Sequence, residues 1–396
     1  MGKIIITGYP YAYPYYFRVF GYAGNKKDFI FILPKLWKAK AGKVKINLEA
    51  QEGFNTYGLS AVSYGGRGWR GLFKGWLPSL IFLLPYLKLK YKSQILYSCS
   101  EPNLLTTLFN GILARLCGLK HVLFTWQNVP PEQRMRGIKL KLSNALVRWN
   151  LRLAAGIICG NRRAEGIVRK LQPKNYNLKT IVCPLSGIDT EKFRPSPLTA
   201  NHWKDKLGIG NGKMILFYGA LEKRKGLDVL LRAFRILNQK LTTMSYKLVL
   251  VGTGPEKENL KLQTTNRKLQ TNTVFLDWMP NNELPALLNA ADVFVYPSVP
   301  FGGWEEQFGY AMAEASASEV PVVATKTGSI EEVVLDGQSG VLVEPNDSEQ
   351  LAEALLKILQ DPILSKQMGE AGRRYVVVNF GHQVVAEKIM RFLETI

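Results

Sequence analysis

Cysteine and histidine are scarce in this chain of 396 residues, with four of the first and three of the second. The cysteines, Cys99, Cys117, Cys159 and Cys183, lie far apart and form no C-x-x-C pair, and the histidines do not cluster. That spacing excludes a disulfide framework and a thiol–imidazole zinc site, and it suits a reducing cytoplasm. No D-x-D pair stands ready for a divalent ion. Long apolar runs are missing as well. The longest, 76–87, is interrupted by Pro78 and Pro85 and is too short to span a bilayer, although it can lie on one. The opening residues do not read as an export segment either, since Lys3 leads into Ile4-Ile5-Ile6-Thr7-Gly8, the pattern of a first buried strand.

Acidic residues are also few, 31 against 52 basic, and the imbalance is local. Residues 1–190 hold 29 basic and 7 acidic side chains, a net +22, whereas 191–396 hold 23 and 24. Such asymmetry points to an anionic partner, whether nucleic acid, membrane surface or phosphorylated substrate, or else serves solubility alone. Hydrophobic residues at 46% and charged residues at 21% are ordinary globular usage, and the length predicts two domains.

Short β-rich runs alternate with helical patterns along the chain. In the first half, strands are predicted over 4–7, 29–33, 95–98, 122–125, 156–159 and 180–183, with helices over 104–117 and 139–153. The second half restarts the rhythm with strands over 214–218, 247–251, 274–276, 293–296, 320–324 and 340–343. Its helices are predicted over 227–238, 282–289, 309–318 and 349–359. This alternation builds parallel sheets covered by helices, with ligands at the carboxyl ends of the strands. The fold expected is α/β: two doubly wound Rossmann-like domains, 1–190 and 191–382, facing a cleft. A linker is expected within 186–212, rich in proline and glycine, and a final helix over 383–396.

Two segments carry chemistry. In Gly302-Gly303-Trp304-Glu305-Glu306-Gln307-Phe308-Gly309-Tyr310-Ala311-Met312-Ala313-Glu314, a strand end runs into a helix start. A helix N-terminus offers unpaired N–H groups and partial positive charge, so phosphate binds there readily. Glu314, inside the helix, suits a sugar diol, and Glu306 suits a group beyond the phosphates. The plainer alternative makes Glu306 a dipole-favoured charge and Glu314 a solvated one. The second segment, Phe217-Tyr218-Gly219-Ala220-Leu221-Glu222-Lys223-Arg224-Lys225-Gly226, places three basic residues on a strand-end loop, able to clamp a diphosphate or simply to be solvated.

Taken together, the run from Gly219 to Asp347 resembles the retaining glycosyltransferases of family 4, which have the GT-B fold. The resemblance rests on Lys225-Gly226, Val251-Gly252-Thr253-Gly254-Pro255, Ala291-Asp292-Val293-Phe294-Val295-Tyr296-Pro297-Ser298 and the E-x7-E pair Glu306/Glu314 around Phe308-Gly309. It continues through Pro321-Val322-Val323-Ala324, Asp336-Gly337, Gly340-Val341-Leu342-Val343 and Pro345-Asn346-Asp347. The resemblance implies that Glu314 binds the nucleotide ribose and that Arg224, Lys225 and the amides of Phe308 and Gly309 hold the diphosphate. Glu306 touches the donor sugar, with Gly219 and Gly8 beside the donor. It implies retention at the anomeric carbon, no metal or other cofactor, and a final helix that crosses back onto the first domain.

The chain departs from that family in three places. Ala220 stands where family members often have arginine. The first loop reads Gly8-Tyr9-Pro10-Tyr11 in place of a paired glycine. A later strand ends in Thr125-Trp126-Gln127-Asn128, without the histidine often found there, while His121 opens that strand and reads as structural. Trp126, Gln127 and Asn128 are the acceptor-site candidates. The expected activity is transfer of a hexose-type sugar from a nucleoside-diphosphate sugar to a glycan or lipid-linked acceptor. The expected setting is the inner face of an anionic membrane, because 69–92 mixes Trp69, Phe73, Trp76, Phe82 and Tyr86 with Arg70, Lys74, Lys88, Lys90 and Lys92. An epimerase or phosphorylase of the same fold remains an alternative. A basic nucleic-acid-binding protein is a further one, but no nucleic-acid motif is present and no nucleic-acid partner is expected.

Overall fold

A computed structural model of the chain describes residues 3–39, 42–46, 53–64, 69–174, 176–240 and 245–396. Two compact units result: Met1–Gly187 with His382–Ile396, and Ile188–Gly381. The strands in chain order are Ile4–Thr7 (β1), Phe29–Pro34 (β2), Leu36–Ala39 (β3), Gly42–Lys45 (β4), Asn55–Leu59 (β5), Ile95–Ser98 (β6), Lys120–Thr125 (β7), Gly156–Cys159 (β8) and Lys179–Val182 (β9). The second unit adds Lys213–Tyr218 (β10), Tyr246–Val251 (β11), Thr273–Leu276 (β12), Val293–Tyr296 (β13), Val322–Thr325 (β14) and Gly340–Val343 (β15).

The first unit's sheet has the order β5-β2-β1-β6-β7-β8-β9, and the second unit's has β12-β11-β10-β13-β14-β15. All ladders in both sheets are parallel. Strands buried on both faces must be apolar throughout, and β1 (Ile-Ile-Ile-Thr) and β2 (Phe-Ile-Phe-Ile-Leu-Pro) are buried at every position. Their side chains alternate between two cores. Ile4, Ile6, Phe29 and Phe31 join a cluster completed by Val385, Ile389, Phe392 and Leu393 of the final helix, His382–Thr395. Ile5, Ile30 and Ile32 face the other way, onto Leu80, Leu84, Leu87 and Leu113. His121 lies near the start of β7, buried, and burial lowers its pKa to about 3, so it is a neutral core residue.

The structure differs from the expected linker. Within 186–212 a helix forms over Pro197–Lys206, opened by proline at a position where its missing N–H costs nothing. Trp203 and Ile209 are buried, so this segment packs into the second unit. Strand β5 and the β3–β4 hairpin were also unexpected from the pattern.

Ile389→Ala, which empties part of the cluster under the final helix, should cost the first unit about 2–5 kcal/mol. Leu116→Ala, at a side chain 79% exposed, should stay within about 0.5 kcal/mol of the parent. Urea unfolding followed by circular dichroism compares the two; equal midpoints would contradict this account of the core.

Candidate functional site

In the second unit the chain winds outward from β10 through β11 to β12, then returns to the far side of β10 to lay down β13, β14 and β15. The connections leaving β10 and β13 therefore diverge, and a crevice outside their carboxyl ends is where open α/β sheets bind ligands. The loop after β10 runs through Gly219 to Gly226, and the loop after β13 ends at Gly309, which caps the helix Tyr310–Ala317 in a left-handed conformation.

Lys225 reaches across from the first loop to Glu306 on the second, at 2.5 Å, and both side chains are more than nine-tenths buried. The same carboxylate oxygen, Oε2, accepts from Tyr296 Oη at 2.8 Å and Ser298 Oγ at 3.4 Å, while Oε1 accepts from the Gln307 N–H at 3.3 Å. Lys225 also hydrogen-bonds the Tyr296 hydroxyl and lies 4.4 Å from its ring centroid. Burial pushes the Glu306 carboxyl up. The Lys225 charge and the hydrogen bonds from Lys225 and Tyr296 outweigh that and hold it below the usual carboxylate range. Burial pulls the Lys225 ammonium down, and Glu306 resists.

Two backbone contacts pin Glu306. Ser329 N donates to its carbonyl at 2.9 Å, and Gly328 presses so closely that a Cβ there would sit 2.0 Å from that oxygen. Gly328 also has φ +61°, so a side chain is excluded twice over. Glu305 takes the Gly328 N–H at 3.0 Å. Further into the helix, Glu314 is buried and accepts from Tyr218 Oη at 2.6 Å. Phe308 is buried against Tyr310 and Phe380.

The solvated readings of Glu314 and Lys225 do not hold, because both residues are buried. Lys223 is exposed. Arg224 is half-buried, its guanidinium 4.1 Å over the Trp304 ring and its Nε 2.7 Å from Glu222. Tyr218, Tyr296, Glu222 and Trp304 were not singled out from the sequence. The two tyrosines end strands whose burial masks any polar role. A pocket of about 350 Å³ opens beside these two loops, lined by Glu222 and Lys223 of the first, Val299 and Phe301 of the second, and Asp228 and Glu256. Three carboxylates against one lysine make its lining a poor place for a diphosphate. Among the described residues no cluster of histidine, cysteine, aspartate or glutamate is arranged to hold a metal ion.

In the first unit, Gly8 follows β1 with φ +141°, and a Cβ there would lie 2.4 Å from the Cys99 carbonyl. Trp126 follows β7 and is seated on Gly160, where a Cβ would come within 2.1 Å of the indole. Gln127 is half-buried and Asn128 fully buried. The carboxylate of Glu101 accepts from Thr125 Oγ1 at 2.6 Å and from the Trp126 N–H at 2.9 Å, which fixes the start of this loop.

Two Rossmann-like units, each a parallel sheet that winds outward and then back past its first strand, are the architecture of the GT-B fold. Residues 200–375 match the family model described as Glycosyl transferases group 1. It is 34% identical over 196 residues to the GDP-mannose-dependent alpha-(1-6)-phosphatidylinositol monomannoside mannosyltransferase of Mycolicibacterium smegmatis, covering 49% of this chain and 51% of that protein. It is 34% identical over 215 residues to the D-inositol 3-phosphate glycosyltransferase of Corynebacterium jeikeium, covering 52% of this chain and 50% of that one. The chain thus spans about half the length of these curated relatives. Over the whole of both chains it shares the fold of Anabaena HepE in complex with UDP, with a TM-score of 0.78 and 18% identity.

Removing one partner of a buried pair leaves a charge stranded, so Lys225→Met should cost about 3–5 kcal/mol. Because the folded-state pKa of Glu306 is depressed, its contribution is full above the unfolded carboxylate value and is lost as pH falls through the folded one. On acidification below about pH 5, the parent should therefore lose more stability than Glu306→Gln in thermal unfolding. Parallel losses in the two proteins would contradict the pairing.

Proposed function

We propose that the chain is a retaining glycosyltransferase that takes a hexose from a nucleoside-diphosphate sugar bound at the β10–β13 crevice. The observation that carries this reading is the buried Lys225–Glu306 pair beside a helix start, with Tyr218–Glu314 one or two turns on. As the diphosphate leaves, negative charge grows on it, and Lys225, Arg224 and the N-terminal end of Tyr310–Ala317 stabilise that charge. With protein cations in that role the reaction runs without a metal. Glu314 exchanges its tyrosine partner for the ribose hydroxyls, and Glu306 meets the hydroxyls of the sugar. Retention follows from front-face attack, with the departing phosphate taking the acceptor's proton. HepE in complex with UDP and a relative that is GDP-mannose-dependent support a nucleotide-sugar donor.

The acceptor in this reading is lipid-linked and the protein is peripheral on the inner face of a membrane. The relatives include one acting on a phosphatidylinositol monomannoside and one on D-inositol 3-phosphate. No helix among the described residues is long and apolar enough to cross a membrane. Three neighbouring helices of the first unit, Leu80–Tyr91, Leu105–Leu116 and Gly137–Leu153, carry apolar side chains outward: Phe82, Leu89, Leu116, Ile138, Leu142 and Trp149. Lys88, Lys90, Lys139 and Lys141 stand among them, on a unit whose charge complements an anionic bilayer. The buried residues of the first helix are Leu80, Leu84 and Leu87, so it is both core and exposed surface. The side chain of Trp69 lies outside the described residues. Each lysine near the surface adds about 1 kcal/mol, enough together for reversible attachment.

Glu306→Ala should abolish turnover while nucleoside diphosphate still binds, and Arg224→Ala should slow turnover about ten- to a thousand-fold. Glu314→Ala should weaken nucleotide binding. Turnover should survive excess EDTA, and rate loss on chelation restored by Mg²⁺ would overturn the cation assignment. Sedimentation with phosphatidylglycerol-containing vesicles should require the anionic lipid, weaken as salt rises and fall in Phe82→Glu/Leu89→Glu. No sedimentation at low salt would overturn the membrane assignment.

A further inference from the structure

The first unit has a switch of its own. From β1 the chain winds through β2 to β5 on one side, then crosses to lay down β6, β7, β8 and β9 on the other. The connections leaving β1 and β6 diverge, as those of β10 and β13 do. Tyr9 lies in the loop after β1 and Glu101 in the loop after β6, while Lys74 comes from the segment before Leu80–Tyr91. The Lys74 ammonium rests 3.9 Å over the Tyr9 ring, whose other neighbour, Trp37, stacks at 5.2 Å.

Among the described residues Lys74 makes no ion pair, although burial lowers its pKa, and Glu101 is the charge that offsets the loss. Glu101 faces the reverse balance. Burial raises its pKa, and Thr125, Trp126, Lys74 and Arg134 only partly compensate. Each carboxylate oxygen can accept two hydrogen bonds. One lone-pair position on each is taken, by Thr125 Oγ1 and by the Trp126 N–H. The burial of Tyr9 raises its phenol too, with Glu101 next in effect, so the hydroxyl stays protonated and able to donate. A half-buried carboxylate, a cation seated on an aromatic face and a phenol come together where such a sheet takes ligands.

We propose that Glu101, Lys74 and Tyr9 form the acceptor subsite, which takes a polyol bearing a phosphate group: Glu101 accepts from the polyol hydroxyls and Lys74 pairs with the phosphate. The subsite rests on the glycosyltransferase reading above for its role, but not for its existence as a binding site. Trp126, already a candidate, is then a positioning residue whose amide holds Glu101 in place. The phosphate can belong to a free polyol phosphate or to a lipid headgroup, since the recognising groups are the same.

Binding of myo-inositol 1-phosphate by titration calorimetry, and of phosphatidylcholine vesicles with and without phosphatidylinositol by sedimentation, tests the proposal. Lys74→Ala removes no hydrogen bond, and should weaken the favoured probe at least ten-fold, with Lys74→Arg restoring part of the affinity. Glu101→Gln should do likewise, and Phe82→Glu/Leu89→Glu should weaken vesicle binding alone. The nucleotide-induced rise in melting temperature should be the same in Lys74→Ala as in the parent, which separates this subsite from the donor site. Binding of the free phosphate alone assigns a soluble acceptor, and binding of the phosphatidylinositol vesicles alone assigns a lipid headgroup. If the parent binds neither probe, or if Lys74→Ala binds both as the parent does, the subsite is wrong. Failure of nucleotide to shift the parent would instead contradict the donor reading.

Discussion

A lysine and a glutamate shut away from water together are the constraint on which the carboxyl edge of the second unit depends. Removing two charges from solvent costs several kcal/mol for each ion, and mutual attraction repays it only where other donors complete the shell. Tyr296, Ser298 and the Gln307 amide complete it for Glu306. Gly328 and Ser329 then hold the Glu306 backbone from behind. Such a pair is weak support for stability, because apolar residues of similar volume often serve as well. Its place beside a helix start suits it to the role proposed above. A cation kept dry and immobile is worth more to a leaving diphosphate than one in water, and it needs no rearrangement when the charge develops.

The two units solve the same problem with different chemistry. Each winds its sheet outward from one central strand and then back past it, and each sets a glutamate in a loop at that place. In the second unit the glutamate is matched by a lysine at hydrogen-bonding distance. In the first, Lys74 leans on Tyr9, and Glu101 is satisfied by a hydroxyl and an amide. A closed ion pair suits a site that stabilises charge during reaction, and an open one suits a site that takes its counter-charge from the ligand. The basic excess of residues 1–190 would then draw an anionic acceptor toward the unit that holds it.

Much of this was legible in the residues. Strands such as β1, β6, β8, β13 and β15 are short runs buried on both faces, and uninterrupted apolar sequence marks them to the residue. Strand β5, Asn-Thr-Tyr-Gly-Leu, lies at the sheet edge and is only half-buried, so its polar composition hides it. The helix Pro197–Lys206 was hidden by proline and glycine, which punctuate loops and helix starts alike. Glu306 and Glu314 stood out because both belong to an ordered set of motifs, yet their partners did not. Tyr218 and Tyr296 read as the last apolar residues of strands, and only the fold brings their hydroxyls to the carboxylates. Glu101 had no motif around it, and its surroundings come from residues 24 to 92 positions away.

Amide hydrogen exchange with and without nucleoside diphosphate tests the central claim most directly, because it reports where the nucleotide sits as well as whether it binds. The account predicts slowed exchange in the β10 loop, 219–226, and across 306–314, with little change around Glu256 in the acidic pocket. Slowed exchange confined to the helix Lys257–Asn266 on the pocket's far wall, or none over 306–314 at saturating nucleotide, would contradict it.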